Sequence, residues 1–268
     1  ALAGGFASAA NIYVFSSGDE TLDTAVVDAL TSRGHTVTVG LTIANYTGDS
    51  LASYDAAYLQ DNANWQQNQM PLLGQESLRT QIEGGLGVVT TEWLLWRTAS
   101  SNWFQTLEPV FPSVPTSSFS GTISATFTRS ASDPFMDAGL GSSFTETLTS
   151  FSGTFTNLVD SRFGSRVFYK IGNVNAATGW NYGAGRVLNL AICVGPSELI
   201  SGVGQLVANS LAWASASESA GPKVSGTALL SDFGGIYPSS LAYELRDPDS
   251  SETISGGRVS LQADGKYE

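Results

Sequence analysis

Between Asn11 and Thr42 the sequence writes a strand, a helix and a second strand with almost no spare residues. No other stretch constrains the fold as much. "NIYVFSS" (11–17) is a short apolar, β-branched run that ends in small polar residues, the pattern of a buried strand. In the helix that follows, Leu22, Val26, Ala29 and Leu30 recur at helical spacing. Asp19 or Ser17 can cap that helix, and acids occupy its first turn, where they favour the helix dipole. Gly34 stops it. "TVTVGLT" (36–42) is the second strand. A crossover of this length is right-handed, so the two strands run parallel.

The same grammar continues. "YDAAYLQ" (54–60) reads as a third strand, "QESLRTQIEGG" (75–85) as a short helix using Leu78 and Ile82, and "LGVVTTE" (86–92) as a fourth strand. "WLLWRTASSNWFQTLEPVF" (93–111) is helical until Pro109. "GAGRVLNLAICVG" (183–195) is a turn and a buried strand. "PSELISGVGQLVANSLAWASAS" (196–217) is read as one helix burying Leu199, Val203, Leu206, Val207 and Leu211. Residues 11–216 therefore belong to a three-layer α/β sandwich. Between about 113 and 170 apolar residues alternate with Ser and Thr, which marks half-exposed antiparallel strands in a β-rich insertion or sheet extension. Residues 1–10 form an apolar N-terminal segment. Residues 217–222 read as a small-residue linker, and 223–268 as a small C-terminal β domain of about three strands, too few to bury a core alone.

Composition narrows the function. Charged residues make up only 13% of 268, against roughly 25% in an average soluble protein. The surface must be built from hydroxyls and backbone. A net charge of −12 repels phosphate backbones, which argues against nucleic acid as a partner. No apolar run reaches the length that spans a bilayer, roughly 20 residues. One His and one Cys exclude the usual zinc sets and any intrachain disulfide, and no cofactor is expected. The opening "ALAGGFASAA" has the small residues found around signal-peptide cleavage sites. The expectation is an extracellular or cell-surface protein with its signal removed; an arbitrary start is the alternative.

Five stretches taken in order carry a family resemblance: "IYVFSSGDETLDTAVVDALTSRGHTVTV", "YDAAYL", "IEGGLGVVTTEW", "SDPFMDAGL" and "YGAGRVLNLAICVGPSELISGVGQLVANSLAWA". Together they resemble the class I glutamine-amidotransferase-like superfamily, and within it the ThuA-like branch. The resemblance implies a flavodoxin-like parallel sheet whose active corner follows the 86–92 strand. The segment 223–268 is similar to the opening part of a carboxypeptidase-regulatory-like β-sandwich module. The resemblance also implies a Cys nucleophile with a His in amidotransferases, and in the ThuA-like branch a His near the corner and another in an "HP-I-x-x-G-L" element. Here the corner holds Thr91, Glu92 and Trp93, and Asp133 of "DPFMDAGL" stands in place of that His.

Catalytic residues are therefore expected to be absent; in an enzyme, Glu92 and Asp133 would be the candidates. A ligand cleft at the carboxyl edge would draw on Asp19, Asn62, Asn64, Trp65, Glu92 and Trp93, a polar set with aromatic walls suited to a sugar. The competing reading has Glu92 accepting backbone N–H groups at a tight corner. His35, at the opposite edge of the sheet, is expected to be a solvated loop residue. Cys193 is expected to be an inert buried thiol, lacking a base. Trp180 is placed in a loop, open to contact. The chain is expected to be a non-enzymatic secreted or surface protein that assembles with itself or another surface protein, with strand complementation through unpaired edges as the route. The alternative is a carbohydrate-binding or carbohydrate-active ThuA-like protein with a cleft at Glu92.

Overall fold

The computed structural model describes residues 9–60, 69–100, 102–119, 122–149, 155–216, 226–227, 240–246, 253–260 and 266–267. Its first strands and helices are β1 (Asn11–Ser16), α1 (Glu20–Thr31), β2 (Thr36–Thr42), β3 (Ala56–Leu59), α2 (Leu72–Glu83), β4 (Gly87–Thr90) and α3 (Glu92–Ser100). Antiparallel strands follow: β5 (Ser113–Phe119), β6 (Ile123–Arg129), β7 (Ser143–Leu148), β8 (Phe155–Ser161), β9 (Arg166–Ile171) and β10 (Val174–Tyr182). Then come β11 (Gly185–Leu190), α4 (Pro196–Leu199), α5 (Gly202–Ser215) and four further strands, β12 (Gly226–Thr227), β13 (Ser240–Arg246), β14 (Thr253–Ser260) and β15 (Lys266–Tyr267).

The main sheet runs β2-β1-β3-β4-β11-β10-β9-β6-β7. From β2 to β11 every neighbour is parallel. From β11 outward the pairs are antiparallel. The β-rich region thus extends the parallel sheet, and among its described strands β5 and β8 pair apart from it.

Strand periodicity explains how helices come to cover both faces. Successive side chains point to opposite sides of a strand. Ile12 and Val14 of β1 enter one apolar cluster, with Leu22, Val26 and Leu30 of α1 and Leu206, Val207 and Leu211 of α5. Tyr13 and Phe15 enter the other, with Leu78 and Ile82 of α2 and Leu94 and Leu95 of α3. The four helical positions read from the sequence of α1 are its buried ones. Asp19 caps the helix, accepting from the amides of Thr21 and Leu22. Gly34 turns at φ +94°, where an L side chain would be strained, and its amide closes on Thr31 O.

Four readings of the sequence change. The helix expected to run from 93 to Pro109 ends at Ser100. The helix expected over 196–217 is two helices. Ser201 caps the second by accepting from Val203 N, and Gly202 N donates to Glu146 Oε1 from β7. β10 is a nine-residue strand that the sequence hides, because Asn, Ala, Thr and Gly blur the alternation while both of its faces are buried. Trp180 therefore lies on a strand, 3% exposed, and its indole N–H donates to Val110 O at 2.8 Å. His35 is buried too. Its Nε2 lies 3.2 Å from Ala208 O, and burial pulls its pKa below the usual imidazole value.

In the C-terminal region β13 and β14 form an antiparallel pair, β12 pairs with β15, and β14 touches the main sheet where Arg258 aligns with Tyr182 of β10. The proposed linker and the N-terminal residues 1–8 lie outside the described residues.

α5 approaches β4 so closely that Gly87 has no room for a side chain. A Cβ there would meet Ala214 O at 2.3 Å, and that obstacle is backbone. Gly87→Ala is expected to destabilise the fold by about 1–3 kcal/mol, read as a lower urea midpoint with an unchanged slope.

Candidate functional site

In a sheet of this order, ligands bind outside the carboxyl ends of the strands, at the point where the order reverses. Here that point lies between β1 and β3. One carboxylate spans it. Asp23, from the first turn of α1, accepts from Ser16 Oγ (2.6 Å), Ser17 N (2.8 Å), Ser17 Oγ (2.7 Å) and Gln60 Nε2 (2.8 Å). The end of β1, the start of α1 and the end of β3 are thereby joined through one side chain. The only sequence signal was its place in the first helical turn, which reads equally well as dipole compensation. An open depression of about 470 Å³ beside it is lined by Ser16, Gly18, Glu20, Asp23, Thr24, Val27 and Val39. Asp19 and Glu92 are not among its lining residues.

Glu92 opens α3 directly after β4 and Thr91. It is fully buried. Its amide donates to Ile192 O at 3.1 Å, which ties the corner to the segment leaving β11. Its carboxyl does not accept the backbone amides expected of a tight corner. Oε2 takes the thiol of Cys193 at 3.3 Å, and Oε1 has no hydrogen-bond partner among the described residues. Burial raises the Glu92 pKa from 4.5 to about 7, and the thiol's hydrogen bond lowers it by less. The Cys193 thiol is buried as expected, but an acidic group does lie against it. Tyr58 on β3 is buried, its hydroxyl has no hydrogen-bond partner among the described residues, and burial pushes its pKa well up.

Beneath this corner Asn189 of β11 donates from Nδ2 to Thr90 Oγ1 and accepts Ser113 N at 3.2 Å. The ends of β4 and β11 are thus cross-linked by buried polar groups. On the far side, Glu198 is 1% exposed and accepts Gly195 N and Thr149 N, each at 3.1 Å.

The remaining candidates scatter. Asp133 lies after β6, where Oδ1 accepts the amides of Phe135 and Met136, at 2.9 and 3.3 Å, and Oδ2 meets Arg166 Nη1 at 3.3 Å. It caps a turn that α5 holds from below, since Asn209 Nδ2 donates to Met136 O and Ala138 O. Asp19 is engaged in capping α1. Trp93 is half-buried and stands edge-on to Trp96, with centroids 5.1 Å apart. Asn62, Asn64 and Trp65 lie outside the described residues. No group of three or more potential metal-ligating His, Cys, Asp or Glu side chains occurs among the described residues.

Neither a protein-family model nor any curated protein matches the chain. Solved structures do. A cytoplasmic protein from Salmonella typhimurium aligns at 13% identity over 76% of this chain and 98% of its own, with a TM-score of 0.57. A protein described as ThuA-like from Bacteroides uniformis aligns at 12% identity over 80% of this chain and 95% of its own, with a TM-score of 0.56. A cold-adapted β-galactosidase from Rahnella aligns at 14% identity over 75% of this chain but 30% of its own, with a TM-score of 0.52. At such identities the likeness is one of fold: the α/β region has the ThuA-like, flavodoxin-like architecture.

Two measurements probe this site. Asp23→Ala strands several polar groups, and is expected to lower stability by on the order of 2 kcal/mol. Asp19→Ala removes only a helix cap, with an expected loss of about 1 kcal/mol. Paired chemical denaturation reads the ranking. For Glu92, the unfolded carboxyl ionises near 4.5 and the folded one near 7. The folded state therefore holds the proton more tightly, and stability falls as pH rises through that window. The fall levels off above it, after a loss of about 3 kcal/mol. Glu92→Gln is expected to flatten this slope, and denaturation at stepped pH checks it.

Proposed function

We propose that this chain is a non-catalytic ThuA-like domain that serves as a structural and assembly unit of a secreted or surface protein. The observation that carries the reading is Glu92. The one carboxylate at the corner where the superfamily keeps its reactive group is sealed from solvent and occupied by Cys193. A general acid or base must come within hydrogen-bond reach of its substrate, and no substrate atom reaches a group with no exposed surface. Other carboxylates among the described residues are engaged in structure: Asp23 bridges the switch point, Asp19 caps α1, and Asp133 caps its turn beside Arg166. The small residues of "ALAGGFASAA" support a place outside the cell; the cytoplasmic description belongs to the Salmonella protein.

The rival reading is a carbohydrate-active or carbohydrate-binding cleft at Glu92, in line with the sugar-processing activity of the Rahnella neighbour. Glycan-array binding and glycosidase turnover by wild type and Glu92→Gln decide between them. The expected result is no glycan retained and no turnover by either chain, while the substitution changes the pH dependence of stability. Glycan binding or turnover by the wild type that Glu92→Gln abolishes would establish the rival.

A further inference from the structure

We infer that β2 is a pairing edge that takes a second copy of this chain, antiparallel, about a twofold axis through Thr38. The inference rests on the assembly role proposed above and gives it a surface.

β2 ends the main sheet, and β1 is its sole strand partner among the described residues. Thr36 N donates inward, to Ala10 O at 2.9 Å. Along a strand in a parallel ladder, alternate residues direct their amide and carbonyl to the same side. Thr36 and Thr38 therefore face β1, and Val37 and Val39 face outward. The next outward position is already blocked. Leu41 N donates to the Tyr13 hydroxyl at 2.8 Å, and the Tyr13 ring lies so close over Gly40 that a Cβ there would come within 2.1 Å of that hydroxyl. The open window is Val37 to Val39.

Nothing else in β2 guards the edge. Natural edge strands are commonly blunted by Lys, by other charges or by Pro. Thr36–Thr42 carries none of these, and Val39 and Leu41 are exposed. Two copies each carry −12 and repel one another at range, and an uncharged window adds nothing to that repulsion where they meet. The window is self-complementary as well. With Thr38 opposite Thr38, each Val37 meets the other copy's Val39, and their outward amides and carbonyls exchange four N–H···O bonds. The two Thr38 residues then form a non-hydrogen-bonded pair, the kind whose side chains come closest. Thr38 is exposed and free to take such a neighbour.

Light scattering of the full chain over a concentration series tests this, alongside Thr38→Lys, Thr38→Glu and their equimolar mixture. Circular dichroism melting confirms that each variant folds. The wild type is expected to reach dimer mass. Each variant alone places like charges face to face and is expected to stay at monomer mass. The mixture pairs Lys with Glu and is expected to regain the dimer, a rescue that simple misfolding cannot give. Self-association that both variants retain would overturn the β2 edge and leave the assembly role standing. A wild type that remains monomeric throughout the series would overturn both.

Discussion

The molecule depends on β1 serving two cores at once. Its alternate residues feed separate apolar clusters on the two faces of the sheet, so a register slip of one residue would turn each set into the wrong cluster. Because β1 is fixed between β2 and β3, the carboxyl ends of the parallel strands are brought to a common edge. Ser16, Gln60, Glu92 and Cys193 reach that edge from residues far apart in sequence. The polar bonds there are consequences of the buried alternation below them. They fasten an arrangement that hydrophobic burial has already set.

The fastening is unusual for what it omits. A buried carboxyl is costly when ionised and tolerable when neutral. Glu92 is supported by one weak donor, the Cys193 thiol, and its environment favours the protonated form. A carboxyl kept neutral is also a recognised way of making a proton donor. Here that chemistry faces inward, toward β11, and the corner acts as a joint between two strands. Asp23 does the equivalent work between β1 and β3 with a full set of donors.

Much of the fold was legible because its elements are locally consistent. The spacing of Leu22, Val26, Ala29 and Leu30 predicts the buried face of α1, and "TVTVGLT" gives the bounds of β2. β10 was not legible. A strand buried on both faces loses its alternation, and one rich in small polar residues loses its apolar run as well. Gly179 in that strand is a small residue for a tertiary reason, since the Trp213 ring lies 2.8 Å from where a Cβ would be. The site was readable at its position and not in its contacts. Sequence places Glu92 at the end of a strand. Only the parallel pairing of β4 with β11 brings it against a thiol 101 residues away. His35 misled for the same reason: its loop position hid the carbonyl of Ala208, 173 residues on, that receives it.

The position of the sole cysteine has a practical consequence. Cys193 follows β11 by three residues, and β11 is held between β4 and β10. Its side chain has no exposure. A thiol reagent can reach it only when the corner between the end of β11 and the start of α3 opens, so the labelling rate is a native gauge of how often that happens. The chain carries its own clock for breathing, at the point where its parallel and antiparallel halves meet.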